Sequence, residues 1–256
     1  MIDQLWLVLL GLAGGILGSM IGLGGGIIVV PVLTFFGFPP TLAASNSLFA
    51  AFSNAVGSTI SYSRQKRIEY SLGIKLGLLC IPGTVLGAYI SSDVTSGIFK
   101  ILFGFVLVSS AVYIFLRKKI ETQEKTLTKL MIIFVIAASF FAGIISSFFG
   151  IGGGIVFVPL MVVGIGMTMK KAAPTSQFIL LFASLSGIIM HSLLGHPDFL
   201  QAGLLAAGAF VGGIIGARIS LDIKETSLQI LVCTIIIIAA IKLFFDSISG
   251  NMLVGG

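Results

Sequence analysis

Two runs of adjacent glycines, Gly24-Gly25-Gly26 and Gly152-Gly153-Gly154, are each followed by a short polar cluster, Asn46-Ser47 in one case and Thr175-Ser176-Gln177 in the other. Backbone N–H groups at a helix start carry partial positive charge and attract anions. Hydroxyl and amide side chains replace part of an oxyanion's hydration without a fixed counter-charge that would trap it. These residue types together predict a small-anion site, with Gly24, Gly25, Gly26, Asn46, Ser47, Gly152, Gly153, Gly154, Thr175, Ser176 and Gln177 as its substrate-binding residues. Ser53 and Asn54 extend the first polar cluster.

The two glycine runs belong to a repeat. Residues 13–33 recur 128 positions later at 141–161, with ten of 21 positions identical, Pro31 and Pro159 among them. After a one-residue insertion the register continues at an offset of 129, where Gly83, Gly87, Ala88, Ile90, Ser91 and Asp93 match Gly212, Gly216, Ala217, Ile219, Ser220 and Asp222. Two equivalent halves are expected: a first transmembrane repeat at 1–116, a polar cytoplasmic linker at 117–129 and a second repeat at 130–256.

The elements that must position these residues are apolar and long. The chain is 57% hydrophobic and 9% charged, with mean hydropathy +1.15. A soluble domain carries roughly 25% charged residues, so this chain lacks the polar surface to face water. Apolar stretches at 4–21, 42–62, 71–91, 97–116, 129–149, 172–194, 199–219 and 226–246 suit helices crossing a bilayer. The first has only Asp3 before it, and its pattern returns mid-chain, so it reads as a mature segment and not a signal peptide. Stretches 27–37 and 155–167 are too short to cross.

Three adjacent glycines weaken a helix by about 1 kcal/mol each. The sequence therefore predicts breaks at GLGGG and GIGGG, with Pro31 and Pro159, five residues after the last glycine, near the first turn of the helix that follows. A dinucleotide-binding reading of G-x-G-x-x-G fails, because the flanks are bilayer-length runs and no acid follows before Glu69. Scattered glycines such as Gly83, Gly87, Gly212 and Gly216 are expected to serve close helix packing.

Loop charge selects the arrangement of the halves. If each broken unit crossed once, eight basic residues (Arg64, Lys66, Arg67, Arg117, Lys118, Lys119, Lys125, Lys129) would oppose four (Lys170, Lys171, Arg218, Lys224). If each unit is re-entrant, all twelve share one face. The positive-inside rule favours the second, with both termini outside. The fold expected is an all-α polytopic membrane protein of two inverted repeats with broken, re-entrant helices. The net charge of +6 then reports membrane orientation and not nucleic-acid binding.

Other residues carry less. Cys80 and Cys233 occupy unmatched positions and read as buried thiols. Asp93 and Asp222 precede helices and read as caps. His191 admits a proton relay or an interfacial histidine. For Asn46 and Thr175, substrate binding and helix capping are equally open. No catalytic, cofactor or metal-binding set is expected, and so no enzyme.

The doubled GxGGGxxxxP element, followed by Ala44–Phe49 and by the divergent Ala-Pro-Thr-Ser-Gln-Phe at 173–178, resembles the TauE/SafE sulfite exporter family along the whole chain. The resemblance implies a secondary transporter of sulfite, sulfonates or related organosulfur anions in a bacterial or archaeal cytoplasmic (inner) membrane. An anion channel, or a transporter of another small oxyanion or carboxylate, is the alternative. The expected partners are the anion, the lipid bilayer and a coupling ion, proton or sodium.

Overall fold

A computed structural model describes residues 4–92, 94–116 and 129–221, with five isolated positions between 234 and 241. Asp93, Asp222, Lys224, Cys233, nearly all of the linker and most of stretch 226–246 lie outside the described residues. The described chain is helical: α1 (Trp6–Ile21), α2 (Gly26–Phe35), α3 (Pro40–Arg64), α4 (Tyr70–Ser91), α5 (Ser96–Leu116), α6 (Lys129–Phe149), α7 (Gly154–Pro159), α8 (Met169–Leu193) and α9 (Phe199–Ile219). A π-helical turn, Leu160–Gly164, continues α7.

The element boundaries repeat with the sequence. α1 and α6 both end immediately before the left-handed glycines that flank Leu23 and Ile151, and α2 and α7 both start on the last glycine of their run. α3 and α8 are each 25 residues long and stand 129 positions apart. Packing repeats as well. α1 lies on α9 as α6 lies on α4, α3 lies on α9 as α8 lies on α4, and α3 meets α8 where the halves join.

The scattered glycines make these contacts. A Cβ on Gly208, Gly212 or Gly216 would strike the carbonyl oxygens of Val8, Leu12 or Ile16, so α1 and α9 run side by side in one direction. Gly83 and Gly87 meet Phe140 and Ile144 in the same way, so α4 and α6 also run together. Helices approach this closely only where side chains are absent, and dispersion between backbones replaces the hydrophobic drive that lipid does not supply. Across the middle, Gly187 of α8 packs on Leu48 while Gln177 reaches Asn54 and Ser58, so α3 and α8 run in opposite directions.

α1 and α2 lie against each other. The Trp6 ring, at the start of α1, lies 4.7 Å from Phe36 and 6.4 Å from Phe38, just beyond α2. Gly14 and Gly18 of α1 face Gly25 and Gly24 on the returning limb. In the second half a groove lined by Phe134, Ala138, Ile155, Pro159 and Gly164 shows α6 and the α7–π limb in the same embrace.

One expectation needs correction. Pro31 and Pro159 sit at the sixth helical position and not in the first turn, because the helices begin on Gly26 and Gly154 themselves. Each proline thus removes an internal i to i−4 bond. After Pro159 the helix widens into the π turn, a distortion that accommodates the missing donor.

The surface is that of a protein in lipid. Tyr89, Phe105, Phe134, Phe141 and Ile189 are all exposed, although Phe105 and Phe134 also line the apolar groove beside α7. Among the described residues α4, α8 and α9 meet the length and hydropathy of membrane-crossing helices. α3, of similar length, carries Ser45, Asn46, Ser47, Asn54 and Ser58 on its buried side. A helix with its polar residues inside and apolar atoms outside is what a bilayer demands. The basic residues Arg64, Lys66 and Arg67, Lys170 and Lys171, and Arg218 lie at the end of α3, the start of α8 and the end of α9. Arg67 donates to the Lys170 carbonyl at 2.8 Å and Lys171 pairs with Glu69 at 2.6 Å, which gathers this end into one face.

Candidate functional site

The first glycine run turns because Gly22 and Gly24 adopt φ of 82° and 79°, where a side chain is strained. The Gly18 carbonyl at the end of α1 receives the N–H groups of Gly22, Leu23 and Gly24 at 3.0, 3.1 and 3.3 Å. It also accepts Gln177 Nε2, from α8 of the other half, at 3.0 Å. In the second run Gly150, Gly152 and Gly153 are left-handed, and Ile151 N–H donates to the Ser146 carbonyl at 3.2 Å.

The two runs touch. A Cβ on Gly26 would lie 2.7 Å from Ile151 Cα and strike the Gly150 carbonyl, and one on Gly154 would lie 2.7 Å from Leu23 Cα and strike the Gly22 carbonyl. Thus the start of α2 abuts the second run and the start of α7 abuts the first. Gly24 and Gly152 both face Leu180, and Gly152 also faces Ala51. Ser176 Oγ donates to the Gly22 carbonyl at 2.7 Å. Its repeat counterpart, Ser47, stands beside Gly26 with its hydroxyl buried and unpartnered.

Gln177 is a crosslink between halves: beyond Gly18, its Oε1 accepts Asn54 Nδ2 at 3.5 Å and Ser58 Oγ at 3.3 Å. Ser146, adjoining Gly153, and Asn54 Oδ1 are buried without partners, like Ser47. Buried polar atoms in native proteins are nearly always satisfied by protein, water or ion. The glycine contact thus has a hydroxyl without a protein partner on each side, Ser47 beside Gly26 and Ser146 beside Gly153.

Asn46 and Thr175 bond across the two halves. Neither caps its own helix, since no side chain caps α3 or α8. Asn46 Oδ1 accepts Asp198 N–H at 2.9 Å and its Nδ2 donates to Gln201 Oε1 at 3.1 Å. Thr175 Oγ1 accepts Glu69 N–H at 3.0 Å. Asp198 and Glu69 are repeat counterparts that immediately precede α9 and α4, so each half fastens the loop of the other. Thr175→Val is therefore expected to lower stability by about 1–2 kcal/mol, the cost of orphaning one N–H, while leaving the half-saturating anion concentration unchanged. Thermal unfolding and transport kinetics of the purified protein check this.

Sequence reasoning missed Gln201, Tyr62 and the partner of His191. Tyr62 Oη donates to the Ser19 carbonyl at 2.8 Å and ties the basic end of α3 to α1. His191 lies against His196, two imidazoles five residues apart across the end of α8. An H-x-x-x-x-H pattern with an intervening glycine was the available signal.

A family model for the sulfite exporter TauE/SafE matches residues 7–243. The chain belongs to this family, a family of membrane transporters and not of enzymes. It is 30% identical to the probable membrane transporter protein YunE of Bacillus subtilis, over 94% of this chain and 97% of that one. A probable membrane transporter protein of Methanocaldococcus jannaschii is 28% identical, over 90% and 91% of the two chains. Escherichia coli YfcA, also a probable membrane transporter protein, is 23% identical, over 91% and 86%. No solved structure matches. The protein is a multi-pass membrane transporter with bacterial and archaeal relatives.

Proposed function

We propose that the protein is a secondary transporter of small sulfur-containing anions such as sulfite and sulfonates, built from two inverted repeats whose glycine runs form one site near the bilayer midplane. The observation that carries this reading is the mutual contact of the two runs, flanked by the unpartnered hydroxyls of Ser47 and Ser146. Gly24–Gly26 and Gly152–Gly154 supply backbone donors and Ser47 a free hydroxyl, while Ser176 and Gln177 turn their donors from the Gly22 and Gly18 carbonyls to the anion when the halves part. Asn46 and Thr175 support this site indirectly by holding the loops before α9 and α4.

Inversion is supported by the opposed directions of α3 and α8, and re-entry by the Trp6 contacts with Phe36 and Phe38. The basic end then faces the cytoplasm, in the cytoplasmic membrane of a bacterium or archaeon. The runs are close-packed backbone on backbone, so an anion crosses only when the halves part. That favours alternating access over a standing channel. Repeat-built transporters commonly place substrate at such broken helices.

The test is flux of radiolabelled sulfite and a sulfonate panel into proteoliposomes. Saturable uptake with mutual competition is expected. Uptake rising linearly with concentration points to a channel, and absence of sulfur-anion uptake overturns the substrate assignment.

A further inference from the structure

We propose that His191 and His196 form one shared proton site, open to the face opposite the basic loops, that links proton movement to the second glycine run. The coupling role rests on the transporter reading; the proton site does not.

The hydrogen bonds fix the arrangement. His191 Nε2 lies 3.0 Å from the Ser147 carbonyl of α6, which can only accept, so Nε2 carries a proton. In a neutral ring Nδ1 is then an acceptor. It faces His196 Nδ1 at 2.8 Å, so that nitrogen is the donor. His196 Nε2 is left as the acceptor for Ser92 Oγ at 3.3 Å. The result is a directional chain from the loop face to the core: Ser92 hydroxyl to His196, His196 to His191, His191 to Ser147.

This chain accepts one proton and resists a second. The first binds His196 Nε2, and Ser92 turns from donor to acceptor. A second would have to bind His191 Nδ1, placing two N–H groups head to head at 2.8 Å. Once His196 is charged, sharing of its Nδ1 proton with His191 Nδ1 passes charge to His191, and the bond from His191 to the Ser147 carbonyl becomes charge-assisted and shorter. Ser147 lies three residues before Gly150, and its own hydroxyl is buried without a partner. Proton binding at the loop thus bears directly on the segment of α6 that enters the second glycine run.

Among the described residues, no charged side chain bonds either imidazole. α6 contributes the Ser147 carbonyl, and Ser92, just past the end of α4, contributes its hydroxyl. Asp198, two residues beyond His196, is committed to the Leu200 and Gln201 N–H groups of α9, and Asn46 of α3 holds the Asp198 N–H. Burial lowers the His196 imidazole from its ordinary value, so proton uptake at this loop calls for acidification of the loop face.

The chain has only two histidines, so ¹⁵N-histidine labelling of the intact protein in nanodiscs reports on this pair alone. The expected spectrum has protonated Nε2 on His191, protonated Nδ1 on His196, and a scalar coupling across the N–H···N bond. On acidification the two rings take up one proton together. Uncoupled rings, or two independent protonations, overturn the proposal. In proteoliposomes loaded with a pH dye, anion flux of the wild type is expected to move protons. His191→Gln and His196→Gln should lose the acceleration by an acidic loop face and keep anion exchange at constant pH. Undiminished proton movement in both variants overturns the coupling. A wild type that moves no sulfur anion but shows the one-proton pair retires the substrate reading and upholds the proton site.

Discussion

Gly26→Ala and Gly154→Ala are each expected to reduce anion flux by about tenfold or more, the factor that corresponds to 1.4 kcal/mol. The added methyl on Gly26 meets Ile151 Cα and the Gly150 carbonyl, and that on Gly154 meets Leu23 Cα and the Gly22 carbonyl. These are backbone atoms on both sides, so no rotamer change relieves the clash. Overpacking of this kind costs about 1–3 kcal/mol, and here it acts on the contact between the halves. Gly24→Leu and Gly152→Leu should impair flux by another route, since both glycines have φ of 79° and a side chain there is strained by about 1–3 kcal/mol. Gly203→Ala is the control: Gly203 is an exposed position of α9 with nothing within 4 Å of an added Cβ. It should leave flux unchanged and raise stability slightly, as alanine favours helix over glycine by about 1 kcal/mol. Flux unaffected by both leucine changes, in protein that still folds and inserts, removes the glycine site from the account.

Gln177→Leu carries the second largest expected effect. It strips one donor from the Gly18 carbonyl and one acceptor from Asn54 and Ser58, all buried. Interhelical hydrogen bonds in membranes contribute about 0.6–1.7 kcal/mol each. Thermal unfolding of the purified protein should therefore show a loss of about 1–3 kcal/mol. Gln177→Glu separates architecture from binding. It keeps an acceptor for Asn54 and Ser58 but brings a carboxylate beside the place proposed for an anion. If Gln177 only joins helices, glutamate should weaken anion binding no more than leucine does. If it borders the site, glutamate should weaken binding further, and the difference should narrow at lower pH as the carboxyl protonates.

Much of this architecture is legible in the sequence because duplication leaves a ruler. The offset between Gly26 and Gly154 relates the starts of α2 and α7, and the offset of 129 relates α3 to α8, although the apolar stretches 42–62 and 172–194 miss the bounds of those helices by one to three residues. Composition marks the helices because lipid selects them by length and apolarity. The position of Pro31 was misjudged because a run of glycines does not say which one begins the next helix. The partners of Asn46 and Thr175 were out of reach for a different reason. Asp198 and Glu69 lie 152 and 106 residues away, and no local pattern pairs residues across the join of two halves. His196 was overlooked because it falls in the loop after α8, where Gly195, at φ of 73°, turns the chain and lets it meet His191.

The central claim is that the two glycine runs make one site and not two. Equilibrium binding of sulfite, or of the best-bound sulfonate, to the purified protein tests it most directly. The account predicts one anion bound per chain, with affinity reduced by Gly24→Leu in the first half and to a similar degree by Gly152→Leu in the second. Two anions per chain, each sensitive to one half alone, or a single anion indifferent to both substitutions, would contradict it.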